Sequence, residues 1–152
     1  MKIEVSGKNN YNIFINRQYT GNMDFFNKEE LISFIKEFIL KIRSRLNLRG
    51  FYKVKVFPQN YVGLFIELIK LDDLEFSNNL DLRVIVCFDE KFFYETDDYF
   101  LIENCNEKRY LDRKFFCIVD DCFEEILSKV EFGRFIYGKE VINLLNKGRV
   151  LW

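Results

Sequence analysis

Between positions 43 and 55 the chain gathers five cations around one aromatic ring: Arg43, Arg45, Arg49, Lys53 and Lys55, with Tyr52 among them. Cations at this density can meet successive phosphates, and a tyrosine can stack on a base, so the group is a candidate nucleic-acid surface. An acidic protein partner would use the same patch. The plainer alternative is a solvated helix end, followed by a strand whose lysines guard it against unwanted pairing. The whole chain carries a net charge of −1 at pH 7, whereas nucleic-acid modules usually present a strongly basic face, which weighs against the nucleic-acid reading.

Three carboxylate pairs, Asp72-Asp73, Asp97-Asp98 and Asp120-Asp121, could bind Mg²⁺ or divide acid and base roles. Each pair falls at an expected turn or helix start, where Asp is favoured for local reasons. The four cysteines, Cys87, Cys105, Cys117 and Cys122, are separated by 18, 12 and 5 positions, unlike the paired knuckles of a zinc site. Cys87 and Cys117 lie in strand-like apolar runs, where a reduced thiol behaves as a small hydrophobe, and that suits a reducing compartment. The chain contains no histidine, so the commonest general acid–base and the commonest metal ligand are missing, and no cysteine has an imidazole to activate it. No G-x-S-x-G, G-x-G-x-x-G or P-loop spacing occurs. These features lead us to expect no catalytic residues, no cofactor and no metal.

Alanine is absent as well, while Phe, Ile, Asn, Lys and Tyr are abundant. AT-rich codons supply those residues, so part of the composition is genomic. With 18 phenylalanines and 8 tyrosines, a sizeable core is available within one domain or two small ones. The adjacent rings Phe25-Phe26, Phe92-Phe93 and Phe115-Phe116 point to opposite faces if they lie in strands. One ring of each pair then leaves the main core, for an interface or for a second covered face. No apolar run approaches the ~20 residues of a membrane span, and the first residues lack the basic start and apolar stretch of a signal peptide. The expected location is the cytoplasm. Charge is uneven along the chain: residues 1–70 hold 12 Lys/Arg and 6 Asp/Glu, whereas 71–152 hold 11 and 18. Opposite halves can attract each other or present different surfaces to two partners.

The elements that must position these groups follow from periodicity. Ile3 and Val5, then Tyr11, Ile13 and Ile15, alternate with polar residues about a turn at 6–10, which reads as a hairpin. Residues 18–26 read as irregular. Asn27 to Leu48 reads as a long helix, with Asn27 and Glu30 spaced as a capping box and Gly50 as its stop. Leu31, Ile35, Phe38, Ile42 and Leu46 form its apolar stripe, widened by Ile32, Phe34 and Ile39. Strands at 52–56 and 62–69 complete a ββαββ module over 1–70. An acidic connector follows at 71–81, then a β-rich module over 82–152. That module has strands at 82–88, at 92–94 and 99–102 about Asp97-Asp98, and at 109–119, and it ends in helices at 122–132 and 139–146. The fold class is α+β, with antiparallel sheets and helices packed on one face.

Met1-Lys2-Ile3-Glu4 and Asn12-Ile13-Phe14-Ile15, the long helix, and the strands 53–57 and 63–70 together resemble the N-terminal module of the MecA-type adaptor proteins of low-GC Gram-positive bacteria. The run from Phe92 to Ile102 is similar to the aromatic hairpin of that family, and 126–133 and 135–145 to its helix and closing segment. The family's D-L-x-x-R-G-like turn is replaced by Arg17-Gln18-Tyr19-Thr20-Gly21-Asn22, and its acidic linker is compressed to 71–81. The resemblance implies a non-enzymatic adaptor whose N-terminal module holds a regulatory protein and whose C-terminal module holds a Clp-type unfoldase. Two other functions stay open: a small nucleic-acid-binding protein using the basic patch, and a phage or host regulatory inhibitor.

Overall fold

The computed structural model describes residues 1–71, 79–88, 90–120, 123 and 134–152. The chain is α+β and divides into two compact units, Met1–Phe88 and Asp89–Trp152.

The first unit is built on a five-stranded sheet of order β1-β2-β4-β3-β5. Its strands are β1 (Lys2–Gly7), β2 (Asn10–Asn16), β3 (Gly50–Gln59), β4 (Gly63–Lys70) and β5 (Leu80–Val86). Neighbours run antiparallel except β3 and β5, which run parallel in a register that sets Val54 opposite Val84. Asn9, at φ 61, turns the β1–β2 hairpin. The strand expected to open the second module is therefore the last strand of the first sheet. The division falls after Phe88 rather than in the acidic connector, because β5 takes its hydrogen bonds from β3: Gly50 N donates to Asn79 O at 2.9 Å and Cys87 N to Val56 O at 2.8 Å. Residues 72–78 of the connector lie outside the described residues.

Between β2 and β3 lie a short helix α1 (Arg17–Thr20) and the long helix α2 (Lys28–Leu46). Periodicity predicts no regular element over residues 18–26, yet α1 forms there for local reasons. Asn16 caps it by accepting from Gln18 N, and Arg17 organises the segment beyond it. The Arg17 guanidinium donates to Thr20 Oγ1 at 3.0 Å and Met23 O at 2.8 Å, and sits 3.8 Å from the centroid of the Phe25 ring. Phe25 is thereby held in the core while Phe26, its neighbour, stands exposed.

Helix α2 begins as its sequence implies: the Asn27 side chain accepts from Glu30 N at 3.2 Å. The reciprocal arm of a capping box is replaced by the backbone, because Asn27 N donates to Asp24 O at 3.1 Å. Asn27→Ala should cost about 1 kcal/mol in urea unfolding, and Asn27→Ser should restore most of it. The helix stops at Asn47, not at Gly50. Asn47 adopts the left-handed conformation (φ 53, ψ 47), and Leu48 N then closes the last turn by donating to Arg43 O at 3.0 Å. Gly50 is instead the first residue of β3, at φ 95.

Leu31, Ile35, Ile39 and Ile42 are the buried face of α2. They pack on Ile13, Ile15, Tyr52, Val54, Val56, Leu64, Ile66 and Leu68 from one face of the sheet. Phe38 and Leu46, expected as members of the stripe, are half-buried on its margin, and Ile39 takes the central place.

The second unit has a five-stranded antiparallel sheet of order β10-β7-β8-β6-β9. Its strands are β6 (Phe93–Thr96), β7 (Lys108–Leu111), β8 (Lys114–Ile118), β9 (Arg134–Ile136) and β10 (Arg149–Leu151). Its helices among the described residues are α3 (Tyr99–Ile102) and α4 (Lys139–Lys147). The run at 99–102, expected as a strand, is helical because Asp98 caps it, accepting from Phe100 N at 3.0 Å. The hairpin lies further on. Asp112 and Arg113, at φ 51 and 66, make the two left-handed positions that a tight β7–β8 turn requires. Apart from Phe123, the helix expected at 122–132 lies outside the described residues.

Helix α4 covers one face of this sheet, where Val141 and Leu144 join Phe93, Phe116 and Ile136. Arg134 ties β9 to β6 and α4, donating to Glu95 at 2.7 Å and Glu140 at 2.6 Å. The other face is aromatic. Tyr94 lies 5.5 Å from Phe123 and 5.4 Å from Phe135, and Phe115 lies 5.4 Å from Tyr99 and 5.2 Å from Tyr110. Both rings of the pair Phe115-Phe116 are thus used, one on each face.

Candidate partner-binding surface

The six residues of the basic group are divided by the geometry of the elements that carry them. Side chains alternate across a strand, so successive residues of β3 take opposite faces. Tyr52 faces α2 and is 2% exposed within the core, so it has no surface on which a base could stack. Lys53 and Lys55 therefore project from the sheet face away from the helix. There Lys55 stands opposite Glu67 of β4, and Lys53 stands between Ile69 of β4 and Arg83 of β5. Phe14 and Phe65 lie on that same face with ring centroids 4.9 Å apart.

Arg43, Arg45 and Arg49 lie on the helix side, around the end of α2 and the residues after it. Arg43 is half-buried, and its Nε donates to Leu48 O at 3.3 Å. It thereby reinforces the turn that Asn47 begins, with its positive charge at the negative end of the helix dipole. Arg45 and Arg49 are exposed. A depression of about 430 Å³ opens here, lined by Leu40, Arg43, Ser44, Asn47, Leu48 and Arg49. Leu40 is 56% exposed and stands on the solvent side of the helix among charged neighbours. Of the residues in the depression, Arg43 and Arg49 belong to the basic group. Leu40 lies outside that group, and its place off the buried stripe marks it as an apolar residue on a polar face.

The other candidate groups have local work. Asp97 pairs with Lys114 at 2.5 Å, while Asp98 caps α3. Asp120 accepts from Asn106 at 3.1 Å, whereas Asp72, Asp73 and Asp121 lie outside the described residues. Cys117 is fully buried, and burial, followed by the charge and hydrogen bond of Cys105, pushes its thiol well above the usual range. It is held as a neutral thiol in the core, not as a thiolate. Burial, with Cys117 beside it, also raises the Tyr94 hydroxyl. Cys87 follows β5 in the first unit, and Cys122 lies outside the described residues.

Comparison with protein-family models, with curated proteins and with solved structures found no match to this chain. Among the described residues, no helix is long and apolar enough to cross a membrane.

Proposed function

We propose that this chain is a non-enzymatic regulatory or adaptor protein of the cytoplasm that works by binding another protein at the C-terminal turn of α2. The observation that carries this reading is Leu40. It is a largely exposed leucine at a shallow depression ringed by Arg43 and Arg49, with Arg45 on the same turn. An apolar anchor within a basic rim suits a protein segment that places an apolar side chain between carboxylates. A nucleic-acid strand would need cations on one continuous track with a ring to stack on. Tyr52 is in the core and the two lysines lie on the opposite side of the sheet, so the group provides no such track. The MecA-like segments make a Clp-type unfoldase, and the regulatory proteins delivered to it, the first partners to test.

The experiment is affinity capture from a low-GC bacterial lysate, with and without nuclease, followed by titration of the purified partner. Wild-type protein should retain a protein partner after nuclease treatment. Arg45→Glu/Arg49→Glu and Leu40→Ser should each weaken that complex about tenfold or more, with circular dichroism unchanged. Binding indifferent to both variants would remove the α2 terminus from consideration. A tight RNA complex whose affinity falls steeply with salt would replace the adaptor reading with the nucleic-acid one.

A further inference from the structure

Strand β1 is an edge of the first sheet: among the described residues it pairs with β2 alone, and five of its six residues are exposed. Natural edges are commonly blunted by proline, by charged side chains, lysine above all, or by bulges along the strand, whereas the charges of β1, Lys2 and Glu4, are of opposite sign and pair with each other. β1 has no proline, and its irregularity lies at the far end, between Val5 and Gly7. From Lys2 to Val5 the register with β2 runs without interruption. The side chains of β1 divide cleanly. Ile3 stands opposite Ile13 and Val5 opposite Tyr11, so Ile3 and Val5 continue the face that α2 covers. Lys2 and Glu4 occupy the other face, 2.9 Å apart, with most of each side chain exposed.

We propose that β1 pairs with β1 of a second copy of this chain, antiparallel about a twofold axis at Ile3, to make one continuous sheet. The register is set by charge. With the axis at Ile3, Lys2 lies opposite Glu4 of the second copy and Glu4 lies opposite its Lys2, while Met1 meets Val5 and Ile3 meets Ile3. The two large hydrophobics that the strand leaves in water, Met1 at 44% and Val5 at 74% exposure, are thus set against each other. Neighbouring registers forfeit this. An axis at Lys2 opposes two lysines, an axis at Glu4 opposes two glutamates, and a one-residue shift sets Lys2 against Ile3. Opposite charges directly across an antiparallel pair stabilise it, and like charges there destabilise it. In the favoured register both copies of α2 lie on the same side of the joined sheet, and the apolar side chains of the two edges lie between them. The contact is short, so the dimer is a reversible one that forms with rising concentration.

Sedimentation velocity of the full chain, from micromolar to near-millimolar, tests this. Wild type should pass from monomer to dimer. Glu4→Lys and Lys2→Glu, each alone, should weaken the dimer about tenfold or more, because each makes the two facing strands alike in charge. The double exchange Lys2→Glu/Glu4→Lys should dimerise like wild type. An equimolar mixture of the two single variants should form a heterodimer that neither forms alone. Both positions are exposed, so the melting curves of the variants should match wild type, which separates loss of pairing from loss of fold. A wild-type protein that stays monomeric overturns the proposal, as does a dimer that ignores the charge exchanges.

Discussion

Gly63→Ala should destabilise the first unit by about 3 kcal/mol or more, enough to remove much of the stability of a small domain. Gly63 opens β4 at φ +144, a conformation that L side chains rarely adopt, between Asn16 of β2 and Gln59 of β3. A Cβ there would stand 2.1 Å from the carbonyl oxygen of Ile15 and 3.0 Å from the nitrogen of Arg17. Both are backbone atoms of a paired strand and its continuation, and Arg17 N already donates to Val62 O at 2.9 Å. No rotamer change can relieve the overlap, so the strands themselves must part. Gly21 provides the control. It has φ +60 and ψ −133 with nothing within 4 Å of the added atom, and Gly21→Ala should cost about 1–2 kcal/mol, for conformation alone. Urea unfolding of the two variants, followed by far-ultraviolet circular dichroism, should separate their midpoints clearly. Equal midpoints would mean that the close approach at Gly63 is absent in solution.

The second large effect is expected at Ile39. Ile39→Ala should cost about 3–4 kcal/mol, whereas Phe38→Ala, though it deletes more atoms, should cost about 1–2 kcal/mol. Ile39 is fully buried against the sheet. Phe38 lies on the margin, where its ring runs beside Phe34 with centroids 6.4 Å apart and water can fill the space that truncation leaves. The cost of a deletion follows the cavity left behind, not the size of the residue removed. Thermal or urea melts of the two variants in parallel would check the order, and a Phe38→Ala more damaging than Ile39→Ala would reverse the assigned face of α2.

That reversal of rank shows how far periodicity carries. The 3.6-residue period locates α2 and its capping asparagine, because repeated apolar spacing and a cap are both local signals. It does not resolve the centre of the stripe, since Phe38 and Ile39 both lie on an apolar arc and only the opposing sheet selects between them. Gly50 is the more obvious stop than Asn47 because glycine is the commoner left-handed residue, yet asparagine also reaches that conformation. Residues 99–102 are too few for period 2 and period 3.6 to be told apart, and Asp98 decides the matter as a cap. The place of β5 is illegible for another reason: its partner β3 lies far upstream, and an apolar strand carries no mark of the sheet it will join. For the basic group the opposite holds. Strand alternation alone separates Tyr52 from Lys53 and Lys55, so the division of the patch is readable from residues 52–55 once they are taken as a strand. Leu40 gains meaning only from the depression around it.

The position of β5 also bears on how the chain is made. β3 carries Tyr52, Val54 and Val56 on one side and Phe57 beside the half-buried Lys53 and Lys55 on the other, so its outer edge belongs to a strand buried on one face and half-buried on the other. Translation delivers β4 to one side of β3 at once, but the strand that closes the other side ends only at Val86. Until the ribosome has passed that point, the nascent chain holds out a row of unpaired amides flanked by aromatic and branched side chains, the kind of template on which polysomal neighbours aggregate. A message truncated in the acidic connector would leave that template open permanently. The span from 80 to 86 thus acts as the cover of the first unit, and the speed at which it emerges sets how long that edge stays open on a growing chain.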